Sequence, residues 1–223
     1  MHNSGRSHRD SAKQPAGRGR PRAFDRDAAL TQATWLFWRK GYEATSMAEL
    51  TDAMGIGSTS LYAAFGSKEA LYTEALRHYQ AKYDHLVWDR FRKADTAREA
   101  VACLLWDSAA VLTGNVEAIP RGCMVALSSV ASEGYPQLGE LVRTARSLTL
   151  ERLMDRISRG AEEGELPASL DRRALARFVQ AVQYGMSILA RDGAGRAELE
   201  MVAELAMQGW DMRIGGSVKG AEP

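Results

Sequence analysis

The sequence predicts an all-α protein in which a small N-terminal three-helix unit, holding a helix-turn-helix, precedes a larger helical domain, about nine helices in all. Three observations carry this. From Phe24 onward apolar residues recur at helical spacing, and no stretch alternates apolar and polar long enough to form a strand. Ser46 with Glu49 and Thr96 with Glu99 are capping boxes that open helices, while glycines close them. Finally, two segments of eight or nine residues meet at a Gly55-Ile56-Gly57 turn, the spacing of a helix-turn-helix.

Each element follows from its own signals. Leu30, Ala33, Thr34 and Phe37 form one stripe, with Asp25 as N-cap and Gly41 as stop, which predicts a helix over about 26–40. Met47, Leu50, Ala53 and Met54 predict the next over about 46–54. Ser58 to Phe65, closed by Gly66 and anchored by Leu61 and Phe65, is the third. Ser67 caps a fourth that carries Leu71, Ala75, Leu76, Tyr79, Tyr83, Leu86 and Val87 and runs towards Arg92 without a breaker. Five more helices are expected: from Thr96 to near Gly114, over 122–132, from Pro136 to about Glu163, over 171–191, and over 196–213, ending before Gly215-Gly216. The implied domains are a disordered basic tail, 1–22, a helix-turn-helix unit, 23–70, a helical ligand-binding and dimerisation domain, 71–214, and a flexible tail, 215–223.

Charge divides the chain. It is almost neutral overall, yet residues 1–93 carry a net +5 and residues 94–223 a net −4, so polyanion-facing work is expected in the first part. In residues 1–22, Arg6, Arg9, Lys13, Arg18, Arg20 and Arg22 face only Asp10, with too little apolar surface to build a core. The absence of a long apolar run predicts a cytoplasmic protein with no membrane partner. Cys103 and Cys123 have neither disulfide-framework nor zinc-site spacing, and no metal or other cofactor is expected. His78 and His85 read as a solvated helix face, with metal sensing as the alternative.

A helix-turn-helix can meet DNA for simple reasons. The N-terminus of its first helix offers amides and hydroxyls to a phosphate, here at Thr45 and Ser46. Its second helix enters the major groove, so its outer face needs small or polar groups, a need met by Ser58, Thr59, Ser60, Tyr62 and Ala63 after Gly57. Lys68 adds a further phosphate contact. A short polar helix pair of any helical protein is the competing reading.

The stretch Ala29 to Leu76 closely resembles the N-terminal domain of TetR family transcriptional regulators. Gly41-Tyr42 after the first helix, Thr45 before the second, Leu61-Tyr62-x-x-Phe65 in the third and Ser67-Lys68-Glu69-x-Leu71 opening the fourth carry the resemblance. It implies a homodimer whose two helix-turn-helix units read a palindromic double-stranded operator, and a C-terminal domain that binds a small-molecule inducer. By this resemblance Thr45 and Lys68 contact phosphates, Tyr62 the backbone, and Thr59 and Ser60 bases. The chain departs from the family pattern at Gly57, Ser58, Ala63 and Ala64, where a serine, a lysine and histidines or aromatics are common, which removes phosphate contacts from the third helix. Arg18-Gly19-Arg20-Pro21 resembles the core of an AT-hook, so Arg20 and Arg22 are expected in an A·T minor groove, a solubilising tail being the alternative.

The last two helices are apolar on more than one side and must be covered there. Ala181, Tyr184, Gly185, Ile188, Val202, Ala206 and Trp210 are the expected dimer interface, with burial inside a monomer core as the alternative. Trp106, Cys123, Met124, Tyr135, Phe178, Tyr184 and Met186 are candidate pocket residues or plain core. Arg121 and a following helix start would lower the Cys123 thiol pKa and suit a redox or electrophile sensor; a buried small hydrophobe is the alternative. No enzyme motif appears, so catalysis is not expected. The functional expectation is a repressor released from its operator by an inducer, against two rivals: an architectural DNA-binding protein and a helical protein-interaction module.

Overall fold

In the computed structural model, which describes residues 24–128 and 134–218, local caps set the first helices as the sequence predicts. The Asp25 carboxylate accepts from the amides of Asp27 and Ala28 and opens α1, Arg26–Lys40. The Ser46–Glu49 capping box opens α2, Met47–Met54, and Gly55 closes it in the left-handed conformation, φ 65°. The next helix, α3, Ser58–Phe65, starts on Gly57 with no side-chain cap. Ser67 accepts from the Ala70 amide and opens α4, Lys68–Tyr83.

A break at Asp84, which carries neither glycine nor proline, separates α4 from α5, His85–Lys93, where a continuous helix is expected. Burial explains it. Tyr83 packs in a core shared by α1–α4, whereas Trp88 and Phe91 pack in a second core with the later helices, so the chain turns as it passes from one core to the other. Asp84 also pairs with Arg92 at 3.0 Å and with Arg152.

The remaining helices are α6, Ala97–Leu112, α7, Met124–Leu127, α8, Pro136–Glu162, α9, Arg172–Arg191, and α10, Arg196–Val218, making ten among the described residues. Pro136 stands in the first turn of α8 as expected. Two differences concern helix ends. The helix expected over 122–132 amounts to one turn, α7, with Ser128 already extended, and residues 129–132 lie outside the described residues. The last helix passes through Gly215 and Gly216 instead of stopping before them, because glycine weakens a helix without forbidding it.

The core around α1–α4 also takes in Val111, Ile119, Met124, Val125, Leu138, Val142 and Ala145, so the N-terminal unit rests on α6, α7 and α8. No helix among the described residues is long and apolar enough to cross a membrane.

Candidate nucleic-acid interface and internal cavity

The third helix is held by its apolar side and displays its polar one. Leu61 and Phe65 are buried, while Ser58, Thr59, Ser60 and Ala63 are exposed and Tyr62 keeps 51% of its surface. A helix with its side chains is about 10–12 Å across, which fits the width of a major groove. No acidic side chain stands on it. Arg26 fixes its C-terminal end: the guanidinium lies 4.4 Å over the Phe65 ring, donates to the Ala64 carbonyl at 3.3 Å and pairs with Glu74 of α4 at 2.7 Å. A cation at a helix C-terminus is favourable, so one residue ties α1, α3 and α4 together.

The N-terminus of α2 is arranged differently from the expectation. Thr45 is fully buried and its hydroxyl donates to the Gly41 carbonyl at 2.6 Å, so it does not present that hydroxyl to a phosphate. Instead it fixes the turn that leads into α2. Ser46 is exposed, but its amide and hydroxyl both donate to Glu49 at 2.9 Å. Glu49 in turn pairs with Lys40, and that pairing with the Ser46 bonds holds its carboxyl down at about 2. The first-turn amides of Met47 and Ala48 lack intrahelical acceptors by geometry and are what this terminus can offer an anion.

Lys68 sits in the first turn of α4 with its ammonium 4.4 Å over the Tyr42 ring. Burial lowers its pKa, against the opposing pull of Glu69, Glu43 and Glu49. Tyr42 itself is buried, donates to Glu69 at 2.9 Å and has its pKa raised by burial and by that carboxylate. Lys68 is thus half-buried and held on an aromatic face at the start of α4, a fixed place for a positive charge. Arg20 and Arg22 lie outside the described residues.

Behind this unit, side chains of α1, α4, α5, α6, α8 and α9 surround a narrow cavity of about 70 Å³. Of the candidate pocket residues, Cys123 and Tyr184 line it. Met124 and Met186 are buried in the two cores, and Trp106 is packed against the second. Tyr135 stands edge-on to Tyr42 at 4.9 Å, and Phe178 is exposed on the outer side of α9. The residues that sequence reasoning missed are Trp38, Tyr79, Tyr83 and Trp88, which line this space. Their helical spacing is that of core, and only the fold shows that they meet. Tyr79 donates its hydroxyl to the Cys123 sulfur at 3.2 Å, and burial pushes its pKa well up. Gln183 donates to Ser108 at 3.1 Å, and the Asp84–Arg152 pair stands at one side.

The expected dimer face needs correction. Ala206 and Trp210 are buried, Trp210 at 1% exposure, and point into the protomer's own core, with Val202 packed against it. The outer stripe of α10 is instead Met201, Leu205 and Met212, the first two 64% exposed, which helical periodicity does not single out. On α9, Ala181 and Ile188 are exposed as expected, while Tyr184 and Gly185 are half-buried. Phe178 of α9 lies 3.9 Å from where a Cβ on Gly209 would stand, so the outer faces of α9 and α10 are continuous. Among the described residues no cluster of His, Cys, Asp and Glu is arranged to hold a metal ion.

Comparison with known proteins agrees with this geometry. Residues 29–75 match the model of the bacterial regulatory proteins, tetR family. The chain is 34% identical over 201 residues to the HTH-type transcriptional repressor ComR of Escherichia coli K12, covering 86% of this chain and 92% of that one. It is 31% identical over 194 residues to the HTH-type transcriptional repressor BdcR of the same organism, covering 87% and 93%. Its fold is similar to that of a cysteine-substituted TetR family transcriptional regulator, CifR, solved in complex with 26-base-pair double-strand operator DNA. There the TM-score is 0.79 at 40% identity, over 85% of this chain and 98% of that one.

Proposed function

The chain belongs to the tetR family of bacterial regulatory proteins and is a TetR-like DNA-binding transcriptional regulator; we propose that it is a homodimeric repressor of a palindromic operator, released when a small molecule enters the cavity beside Cys123. The observation that carries this reading is α3: an exposed, acid-free polar face on a helix locked from behind by Leu61, Phe65 and Arg26. Ser58, Thr59 and Ser60 face the bases in this reading, Tyr62 the backbone, and Lys68 with the first turn of α2 the phosphates. Selection of duplexes from a random library at near-physiological salt tests it. An enriched palindrome with half-sites about one turn apart supports the reading. Binding without enrichment leaves only an architectural role.

The exposed apolar stripe of α9 and α10 is proposed as the surface between two copies, since isologous contact of one face with itself gives the two-fold symmetry a palindrome requires. Leu205→Glu is therefore expected to weaken self-association roughly tenfold or more, by placing a charge in an apolar contact. The protomer's own stability is expected to stay within about 0.5 kcal/mol. Sedimentation velocity against concentration checks the first and thermal melting the second.

For the basic tail, attachment matters. Phe24 leads directly into α1, and Arg26 in its first turn bonds to the C-terminal end of α3, so α1 begins beside the DNA-facing helix. Arg18, Arg20 and Arg22 are proposed to enter a flanking A·T minor groove. Deleting residues 1–22 is expected to reduce the salt slope of operator binding by roughly 2–3, about 0.9 for each phosphate that the tail neutralises. An unchanged slope would sink the idea.

A second reading, an electrophile-responsive regulator, is favoured by the Cys123 sulfur facing the cavity with the Tyr79 hydroxyl bonded to it. If it holds, methyl methanethiosulfonate weakens operator binding about fivefold or more in the parent and not in Cys123→Ser. Equal responses in both proteins would remove Cys123 from the mechanism.

A further inference from the structure

At the C-terminal end of α1 one guanidinium reaches backbone carbonyls on two segments. Arg191, the last residue of α9, donates from Nη2 to the Trp38 carbonyl at 2.8 Å, from Nη1 to the Arg39 carbonyl at 2.9 Å and from Nε to the Arg121 carbonyl at 3.1 Å. Carbonyls at the end of a helix have no intrahelical donors, and a planar fork of five N–H groups can reach several at once. Burial lowers the pKa of Arg191, the cost of placing it there. The guanidinium thus holds α1 and the 121–123 segment to each other as well as to α9.

The same segment is a wall of the cavity. Gly122 and Cys123 line it, as does the Trp38 ring, whose Nε1 donates to the Gly122 carbonyl at 2.9 Å. Ser187, one turn before Arg191 on α9, also lines the cavity, and its Oγ accepts from the Cys123 amide at 3.2 Å. Ser187 and Arg191 therefore grip neighbouring points of one segment, one from within the cavity and one at the end of α1. Close-packed interiors do not absorb added volume smoothly; they shift between discrete arrangements.

On the reading that this is an operator-binding protein, we propose that Arg191 is the positioning residue that passes the state of the cavity to the DNA-binding helices, by holding the end of α1 to the cavity wall at 121–123. Adding volume to the cavity displaces Trp38 and that wall, and Arg191 turns the displacement into a rotation of α1 and of the α3 packed with it.

The test is a double-mutant cycle on affinity for the duplex enriched by selection, read by fluorescence anisotropy. Ala145→Leu on α8 adds volume at the cavity lining, and Arg191→Met removes the fork while keeping an unbranched stem. Ala145→Leu is expected to weaken operator binding about fivefold or more in the parent and less than about twofold when Arg191→Met is present. If Ala145→Leu does not fold, Thr149→Leu, at another point of the lining, replaces it. If Arg191→Met does not fold, Arg191→Lys serves, since an ammonium cannot span carbonyls on two segments, and the same loss of coupling is expected. Equal effects of the cavity substitution in both backgrounds overturn the proposal, as does no effect in the parent. A parent that binds no enriched duplex overturns the regulator reading first, which separates the two failures.

Discussion

Ser60→Asp is expected to weaken operator binding at least about a hundredfold at near-physiological salt, with no loss of fold stability. The reason is position and sign. Ser60 is exposed in the first turn of α3, on a surface with no carboxylate of its own. Duplex DNA carries one negative charge for roughly every 1.7 Å of its axis, so a carboxylate pressed into the groove meets phosphates on both sides and loses its water. Like-charge juxtaposition of this kind costs several kcal/mol. The fold has no reason to object, because an acidic side chain three residues into a helix opposes the positive end of its dipole. Ser60→Ala is the control: it removes at most the hydrogen bonds of one hydroxyl, about 1–3 kcal/mol if it reads a base. Anisotropy titration with the selected duplex, paired with a thermal melt, separates binding from folding. An Asp variant that bound like the parent would move the DNA contact away from α3.

The N-terminal unit was legible because its information is local. Asp25, Ser46 with Glu49, and Ser67 each accept a backbone amide two or three residues on, and the structure shows each of those bonds. Glycines at 41, 55 and 66 stop α1, α2 and α3 with positive φ. Where the deciding force was tertiary, the sequence was silent. The break at Asp84 exists because Tyr83 and Trp88 belong to different cores, and no residue at that point disfavours a helix. On α10 apolar residues occupy more than one side, so periodicity alone could not tell Trp210 and Ala206, which face inward, from Leu205 and Met201, which face out. A helix apolar all round has no phase that a single sequence can reveal. The cavity was hidden for a related reason: Trp38, Tyr79 and Trp88 have core spacing on three helices, and their convergence is a property of how those helices cross. Thr45 stands between the two cases. Its place before a capping box was readable, but whether its hydroxyl faced solvent or the Gly41 carbonyl was not.

Gly122→Ala is expected to destabilise the protein by about 3 kcal/mol or more, the sum of backbone strain and overpacking. Gly122 has φ 78°, in the left-handed region that a residue with a Cβ adopts at a cost. A Cβ there would stand 2.4 Å from Leu127 Cδ1 and 2.9 Å from the Ser187 carbonyl oxygen. The leucine can rotate away, whereas the Ser187 oxygen is part of the α9 backbone and cannot move alone. The 121–123 segment must therefore retreat from α9, and its retreat stretches the bonds from Trp38 Nε1 and Arg191 Nε, which end on the carbonyls of Gly122 and Arg121. For a chain of this size each kcal/mol lowers the melting temperature by about 2–4 °C, so the expected fall is roughly 6–12 °C. Gly57→Ala is the matched control, since φ there is −74° and nothing lies within 4 Å of the new Cβ. Its effect on the melt is expected to stay within about 0.5 kcal/mol. Adding Leu127→Ala to Gly122→Ala would relieve the side-chain clash but not the one with α9, so most of the loss should persist. A full recovery in that double variant would mean the 121–123 segment is not pinned between α9 and α1, and the coupling assigned to Arg191 would lose the rigid wall it acts through.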